Sequence, residues 1–180
     1  SMMKNNNQKF FLITPAYNEN LNLIFNCLNS IKKQTAHSQI KHFLIFDGIH
    51  RPELNSEIIN SFPNTTLYTL KHNHGDYGDY IRKLGTRLAI LEKAFGVGYL
   101  DADNTIKSTH IQTILNQKKN SNKNIIITQR NFFKDQKIFK TKKISNFFDS
   151  NTINFFGDSM RLGYLWASYP REMSLFGDRI

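Results

Sequence analysis

The segment GVGYLDADNT (residues 96–105) decides the fold, because a short apolar run leads directly into two aspartates separated by one alanine. The apolar run predicts a buried strand, since it is brief and ends in turn-forming residues. Alternation along an extended segment places Asp101 and Asp103 on one side and Ala102 on the other. The spacing alone leaves two interpretations open: the carboxylates hold a cation, or they form a turn after the strand.

The rest of the chain alternates similar apolar runs with amphipathic segments. One such segment carries Leu21, Ile24, Leu28 and Ile31 on one helical face. The alternation predicts an α/β fold with a mainly parallel, Rossmann-like sheet, helices on both faces and a single compact domain. The predicted strands are residues 9–14, 42–46, 65–70, 97–100 and 124–128.

The composition limits the class of protein. A chain of 180 residues with 39% hydrophobic residues is long enough to bury a core as one globular domain. No apolar run reaches the roughly 20 residues of a membrane-spanning helix. The single cysteine, Cys27, excludes an internal disulfide, and we interpret it as a small buried hydrophobe. We therefore expect a cytoplasmic protein.

The formal net charge of +10 suits anionic partners, although lysine is spread over most of the chain. Residues 134–148 are basic and aromatic. They could border an anionic acceptor, touch an anionic membrane peripherally, or cover the core with their rings while the lysines stay in water. We favour the last interpretation. No specific nucleic-acid partner is expected, because no recognised binding motif accompanies the charge.

Acidic residues follow three of the predicted strands. Glu19 lies just beyond the first strand, Asp47 ends the second, and Asp101 and Asp103 follow the fourth. Ligands bind beyond the carboxyl ends of strands in a parallel α/β sheet, so a site is expected at this edge. Mg²⁺ and Mn²⁺ prefer oxygen ligands and keep waters and phosphates as their other ligands. The aspartate pair therefore suits a metal bridged to a diphosphate.

Four motifs in order resemble the family 2 glycosyltransferases, which have the GT-A fold. The first strand leads into Pro-Ala-Tyr-Asn-Glu (residues 15–19) and a helix that ends in Gln-Thr. The second strand ends in LIFDG (44–48), and YIRKLGTRLAI (80–90) matches a family helix at Arg82, Gly85 and Ala89. The segment YLDADN (99–104) resembles the DXD motif of the family.

The resemblance implies a metal-dependent glycosyltransferase of the hexosyltransferase class. Such an enzyme would move a sugar from a UDP- or GDP-linked donor to a hydroxyl of a saccharide, a lipid-linked molecule or another acceptor, with inversion. The resemblance assigns Asp101 and Asp103 to Mn²⁺ or Mg²⁺ as well as to the donor. The implied donor-binding residues are Pro15, Ala16, Tyr17, Glu19, Asp47, Arg82, Asp101, Ala102 and Asp103.

The chain departs from the family pattern at three places. Lys83 stands where the family usually has asparagine, and Asn104 where a third acidic residue often follows. The segment HNHGDYGDY (72–80) has no place on the pattern. We interpret it as a connection between a strand and a helix, with a loop over the donor as the alternative.

An inverting enzyme needs a carboxylate that accepts the proton of the acceptor hydroxyl. In the family an aspartate at the start of a late helix supplies it, and Asp158 and Asp178 both occur in Phe-Gly-Asp. The distance from Asp101 and the arginine that follows favour Asp178. Either aspartate could instead simply cap a helix.

Three regions are expected along the chain, and three other functions compete with transfer. Residues 1–8 are a tag remnant and flexible start, 9–130 form the donor-binding core, and 131–180 form the acceptor side of the same domain. The alternatives are a silent or incomplete donor-binding protein, a nucleotidyltransferase, and a basic nucleic-acid-associated domain. A nucleotidyltransferase would usually have a glycine-rich loop after the first strand, and TPAYNEN (14–20) has none.

Overall fold

A computed structural model describes residues 8–129, 132–134, 137–139 and 149–166 of the protein. The strands are β1 (Phe10–Ala16), β2 (Ile40–Phe46), β3 (Thr65–Thr69), β4 (Gly96–Tyr99), β5 (Ile125–Ile127), β6 (Phe132–Lys134), β7 (Lys137–Phe139) and β8 (Ile153–Phe156). Six of them form one sheet in the order β3-β2-β1-β4-β8-β5, while β6 and β7 pair separately.

The six-stranded sheet is mainly parallel. β1 pairs in parallel with β2 and β4, and β2 pairs in parallel with β3. β8 is antiparallel to both of its neighbours, so β5 runs in the same direction as β4. Every residue of β1 is buried, which explains why this strand is a continuous apolar run and not an alternating one.

In the described part of the chain, four α-helices connect the strands: α1 (Leu21–Lys32), α2 (Ser56–Asn60), α3 (Asp79–Leu91) and α4 (His110–Lys119). The first two begin at asparagines whose side chains accept a hydrogen bond from the helix, Asn20 from the amide of Asn22 and Asn55 from that of Ile58. Short 3₁₀ helices cover His37–Gln39, Ser150–Thr152 and Gly157–Leu165. None of the described helices is both long and apolar enough to span a membrane.

Helices cover both faces of the sheet, as predicted. On one face Phe10 and Leu12 of β1 pack in a cluster with residues of α1 and α4. On the other face Ile13 packs with residues of α3 and of the 3₁₀ helix Gly157–Leu165. A Cβ added at Gly85 of α3 would lie 2.5 Å from Cγ2 of Ile13. This glycine therefore lets α3 lie close to β1, which fixes the position of the helix over the sheet.

The titratable side chains buried in this core include Cys27 and His42. Burial raises the pKa of the Cys27 thiol to about 12, which agrees with a structural cysteine and not a nucleophile. Burial lowers the pKa of His42, on β2, to about 3. The imidazole is neutral there and bonds the hydroxyls of Thr65 at 2.9 Å and Thr14 at 2.7 Å.

The sequence pattern did not predict β8. This strand comes from the region beyond residue 130, where no element could be assigned, and it lies between β4 and β5 in the sheet. The region first expected to contribute only an acceptor side therefore also supplies an interior strand of the six-stranded sheet. The five strands that the pattern did predict all run in one direction.

Candidate active site

A pocket of about 660 Å³ opens at the carboxyl edge of the sheet, where β1, β2 and β4 end. Eight of the nine residues that the resemblance assigns to the donor line it: Pro15, Ala16, Tyr17, Glu19, Asp47, Arg82, Asp101 and Asp103. The ninth, Ala102, is buried in a core cluster with Ala16 and Ile24. The alternation expected along residues 101–103 is therefore present, with the two aspartates at the pocket and the alanine in the core.

The connection after β1 is held by hydrogen bonds within itself and from Arg51. Glu19 accepts a hydrogen bond from the amide of Tyr17 at 2.7 Å, and its carbonyl accepts one from Arg51 at 2.9 Å. The Tyr17 side chain is left half exposed at the pocket. A fixed main chain with an exposed ring offers a flat apolar surface to a planar ligand.

Asp47 is buried at the end of β2 and holds the segment that precedes α3. Its carboxylate accepts hydrogen bonds from the His74 amide at 3.0 and 3.1 Å and faces Nδ1 of His74 at 2.7 Å. The Gly75 amide donates a further bond at 3.4 Å. The His74 ring in turn stacks on Tyr80 with centroids 3.8 Å apart. The carboxylate predicted to receive the nucleotide thus already anchors a loop.

Arg82 is the cation of the pocket. Its guanidinium is buried and donates to Asp101 at 2.8 Å and to Asp79 at 3.0 Å. The same group donates to the carbonyl of Tyr77 at 3.0 Å and lies 5.8 Å from the ring centre of Trp166. Arg82 therefore joins the start of α3 to the segment after β4.

Asn151 holds Asp101 from the other side. Its side-chain amide donates to Oδ2 of Asp101 at 2.8 Å and to Asp149 at 2.6 Å. Its amide oxygen accepts a bond from the Asp101 main chain at 2.6 Å. Each carboxylate oxygen of Asp101 therefore accepts one of these hydrogen bonds, one from Arg82 and the other from Asn151.

Asp103 is different, because it is exposed at the pocket and makes no hydrogen bond or ion pair with any described residue. A single free carboxylate fits a hard divalent cation that takes its other ligands from a diphosphate and water. Asp101 fits as a second ligand, since each of its oxygens keeps a lone pair beside the one hydrogen bond that it accepts. Within the described ranges, no three His, Cys, Asp or Glu side chains form a group that could hold a metal.

The structure does not bring Asp158 to the pocket. It follows β8, which runs antiparallel to β4, and the end of β8 pairs with the start of β4 at Phe156 and Gly96. Asp158 is therefore exposed at the opposite, amino edge of the sheet. The other candidate base, Asp178, lies outside the described residues.

Sequence reasoning missed two groups of pocket residues. The first lies in the segment that had no place on the family pattern, with Ile81 just after it in α3, and its signal was the repeated Gly-Asp-Tyr. The second lies on either side of the unpredicted β8, and no sequence signal pointed to it. The missed lining residues are Asn73, Gly75, Tyr77, Gly78, Asp79, Ile81, Asp149, Ser150 and Trp166.

Comparison with known proteins gives the class of this fold and site. The family model described as Glycosyl transferase family 2 matches residues 11–176. The chain belongs to glycosyl transferase family 2, which confirms the resemblance drawn from the four motifs. No curated protein matches the chain at a significant level.

Solved structures of one protein, S. aureus TarS, share the fold. The crystal structure of S. aureus TarS 1-349 in complex with UDP is 16% identical, with a TM-score of 0.73. The corresponding complex with UDP-GlcNAc is 15% identical, with a TM-score of 0.71. Each match covers 96% of this chain and 53% of the TarS chain. The chain thus spans about half the length of these structures.

Proposed function

We propose that the protein transfers a sugar from a nucleoside-diphosphate sugar to an acceptor hydroxyl, with a divalent metal and with inversion. The observation that carries the proposal is the pocket itself, where Tyr17, Asp101 and Asp103 lie together at one sheet edge. Asp101 is hydrogen-bonded there, whereas Asp103 has no hydrogen bond with the described residues. Family membership supports the reaction class. The UDP and UDP-GlcNAc complexes of TarS favour a UDP-linked donor.

In this proposal the two aspartates bind the metal, and Asp101 also orients the donor. Asp103 would hold Mn²⁺ or Mg²⁺, and the metal would neutralise charge on the departing diphosphate. Asp101 would be the second ligand expected from the sequence, through the lone pairs that its two hydrogen bonds leave. Fixed by Arg82 and Asn151, the Asp101 carboxylate keeps one geometry and can accept a hydrogen bond from a donor hydroxyl.

Inversion requires direct attack by the acceptor. The acceptor oxygen forms a bond to the anomeric carbon as the bond from that carbon to the diphosphate oxygen breaks. The hydroxyl proton passes to a carboxylate base. We assign this role to Asp178, because Asp158 lies at the other edge of the sheet.

Thermal unfolding with nucleoside diphosphates tests the donor site. A ligand at about 100 times its Kd adds about 2.7 kcal/mol to the unfolding free energy. We expect UDP to raise Tm more with Mn²⁺ present than with a chelator. Asp103→Ala should abolish that difference, whereas the matched control Asp158→Ala should keep it. A Tm that responds to no nucleoside diphosphate, with or without Mn²⁺, would contradict the proposal.

Turnover distinguishes an active enzyme from a silent donor-binding protein. Release of UDP from UDP-GlcNAc and other UDP-sugars can be followed with the 180-residue chain. We expect metal-dependent release. Binding of UDP without release from any donor would favour the silent alternative instead.

A further inference from the structure

The connection that precedes α3, residues 72–78, is fastened at both ends. Near its start, Asp47 binds the main chain of His74 and Gly75. Near its end, the Arg82 guanidinium binds the carbonyl of Tyr77. We call residues 72–78 the α3 loop. Since both anchors are largely buried, the main chain of the loop is held in one conformation.

The α3 loop also touches the connection that follows β1. A Cβ added at Gly78 would lie 2.6 Å from Cβ of Pro15, so the two segments are in close contact. Tyr17 lies two residues beyond Pro15, and Tyr77 directly precedes Gly78. Both tyrosines line the same pocket, with 50% of Tyr17 and 66% of Tyr77 exposed.

Tyr77 is also held in an unfavourable backbone conformation, with a φ of 57°. Among the described residues only one other non-glycine residue, Lys93 with a φ of 58°, has a positive φ. Lys93 follows the end of α3, a place where left-handed residues are common. Tyr77 does not follow the end of a helix, so its left-handed backbone has no such explanation. Its ring makes no aromatic contact with the described residues. Such a conformation at a site is maintained by its surroundings, here Asp47 and Arg82.

We propose that Tyr77 is a second stacking residue for the donor. Together with Tyr17, it would stack on the nucleoside base. This inference rests on the proposed function, since it requires a nucleoside diphosphate in the pocket. Aromatic rings stack on any nucleobase. A stacked base contributes about 1–3 kcal/mol, or about 5- to 150-fold in affinity. The anchored main chain explains why an exposed ring remains available at the pocket.

Two glycine substitutions test the proposal as a matched pair. Tyr77→Gly and Lys93→Gly both relieve a left-handed backbone, so each should raise Tm by about 2–4 °C. Only Tyr77→Gly should weaken binding of UDP with Mn²⁺, by about 5-fold or more in a calorimetric titration of the full chain. Tyr77→Phe keeps the ring and should bind UDP as the unaltered protein does. Tyr77→Ala should lose affinity without the gain in Tm.

The outcomes separate this inference from the function on which it rests. If the unaltered protein binds no nucleoside diphosphate, the proposed function fails. If it binds UDP and Tyr77→Gly binds equally well, only the role of Tyr77 is overturned. A loss confined to UDP-sugars, with UDP unaffected, would place the ring against the sugar and would also overturn stacking on the base.

Discussion

Two groups of paired charges lie at opposite edges of the sheet and differ in burial. At the carboxyl edge, Arg82 is 8% exposed and pairs with Asp79, which is 5% exposed, and with Asp101. At the amino edge, Lys41 and Glu92 pair while 36% and 40% exposed. Burying charges costs solvation free energy, and an exposed pair contributes little to stability. The carboxyl edge therefore buries charge at a cost in solvation free energy, whereas the amino edge leaves its charges partly in water.

The largest expected effect concerns Asp178, the base in the proposed reaction. Asp178→Asn should lower turnover of a UDP-sugar by about 10²–10⁴-fold, the usual contribution of general base catalysis. Asp158→Asn, at the amino edge, should change the rate less than about two-fold, because only the carboxyl edge borders the pocket. Initial rates of UDP release check both. An inactive Asp158→Asn together with an active Asp178→Asn would overturn the assignment of the base.

The next effect concerns stability at the two edges. Arg82→Met removes the guanidinium between Asp79 and Asp101 and so takes away the positive charge that both carboxylates face. We expect a loss of about 3–5 kcal/mol in the free energy of unfolding. Lys41→Met is the matched control and should cost less than about 1 kcal/mol. Urea unfolding at pH 7 measures both, and similar losses for the two variants would show that burial does not distinguish the pairs.

A smaller effect concerns His42, which lies buried near the amino end of β2. Its pKa is about 3 in the folded protein, below the ordinary value of 6.5. Between these values the unfolded chain binds the extra proton, so stability is full above pH 6.5 and falls as the pH decreases toward 3. The loss is about 1.4 kcal/mol per pH unit, or about 2 kcal/mol at pH 5.

His42→Gln isolates this effect, because glutamine keeps hydrogen-bonding groups near Thr14 and Thr65 but cannot be protonated in this range. Urea unfolding at pH 7 and pH 5 should show a difference about 2 kcal/mol smaller in the variant than in the unaltered protein. His110, whose pKa burial also lowers, is present in both proteins and cancels. Equal pH dependence in the two would refute the assignment to His42.

Most of the sheet could be predicted from the sequence, because its parallel strands are compact apolar runs separated by amphipathic helices. β8 could not be predicted, since Ile153–Phe156 is only four residues long. An antiparallel strand also needs no helical crossover, so no amphipathic helix in the sequence indicates it. The strand-end rule also predicted which edge carries the pocket. It identified Asp47, Asp101 and Asp103 without any knowledge of their partners.

The hydrogen bonds within the site were beyond sequence reasoning. Asp101 meets Asn151, 50 positions away, only because β8 pairs with β4. Asp47 meets His74 through a loop that has no place on the family pattern. Spacing along a strand indicates which side chains share a side, but a carboxylate that is free and one that is engaged look identical in the sequence.

The position of β8 also has a consequence for how the chain is made. During synthesis β4 and β5 leave the ribosome well before β8, which must later enter between them. Until then one edge of β4 has no neighbour, and β5 has no described partner strand at all. Open strand edges pair readily with other chains. The nascent protein therefore exposes open edges of β4 and β5 to such pairing until residues 153–156 emerge.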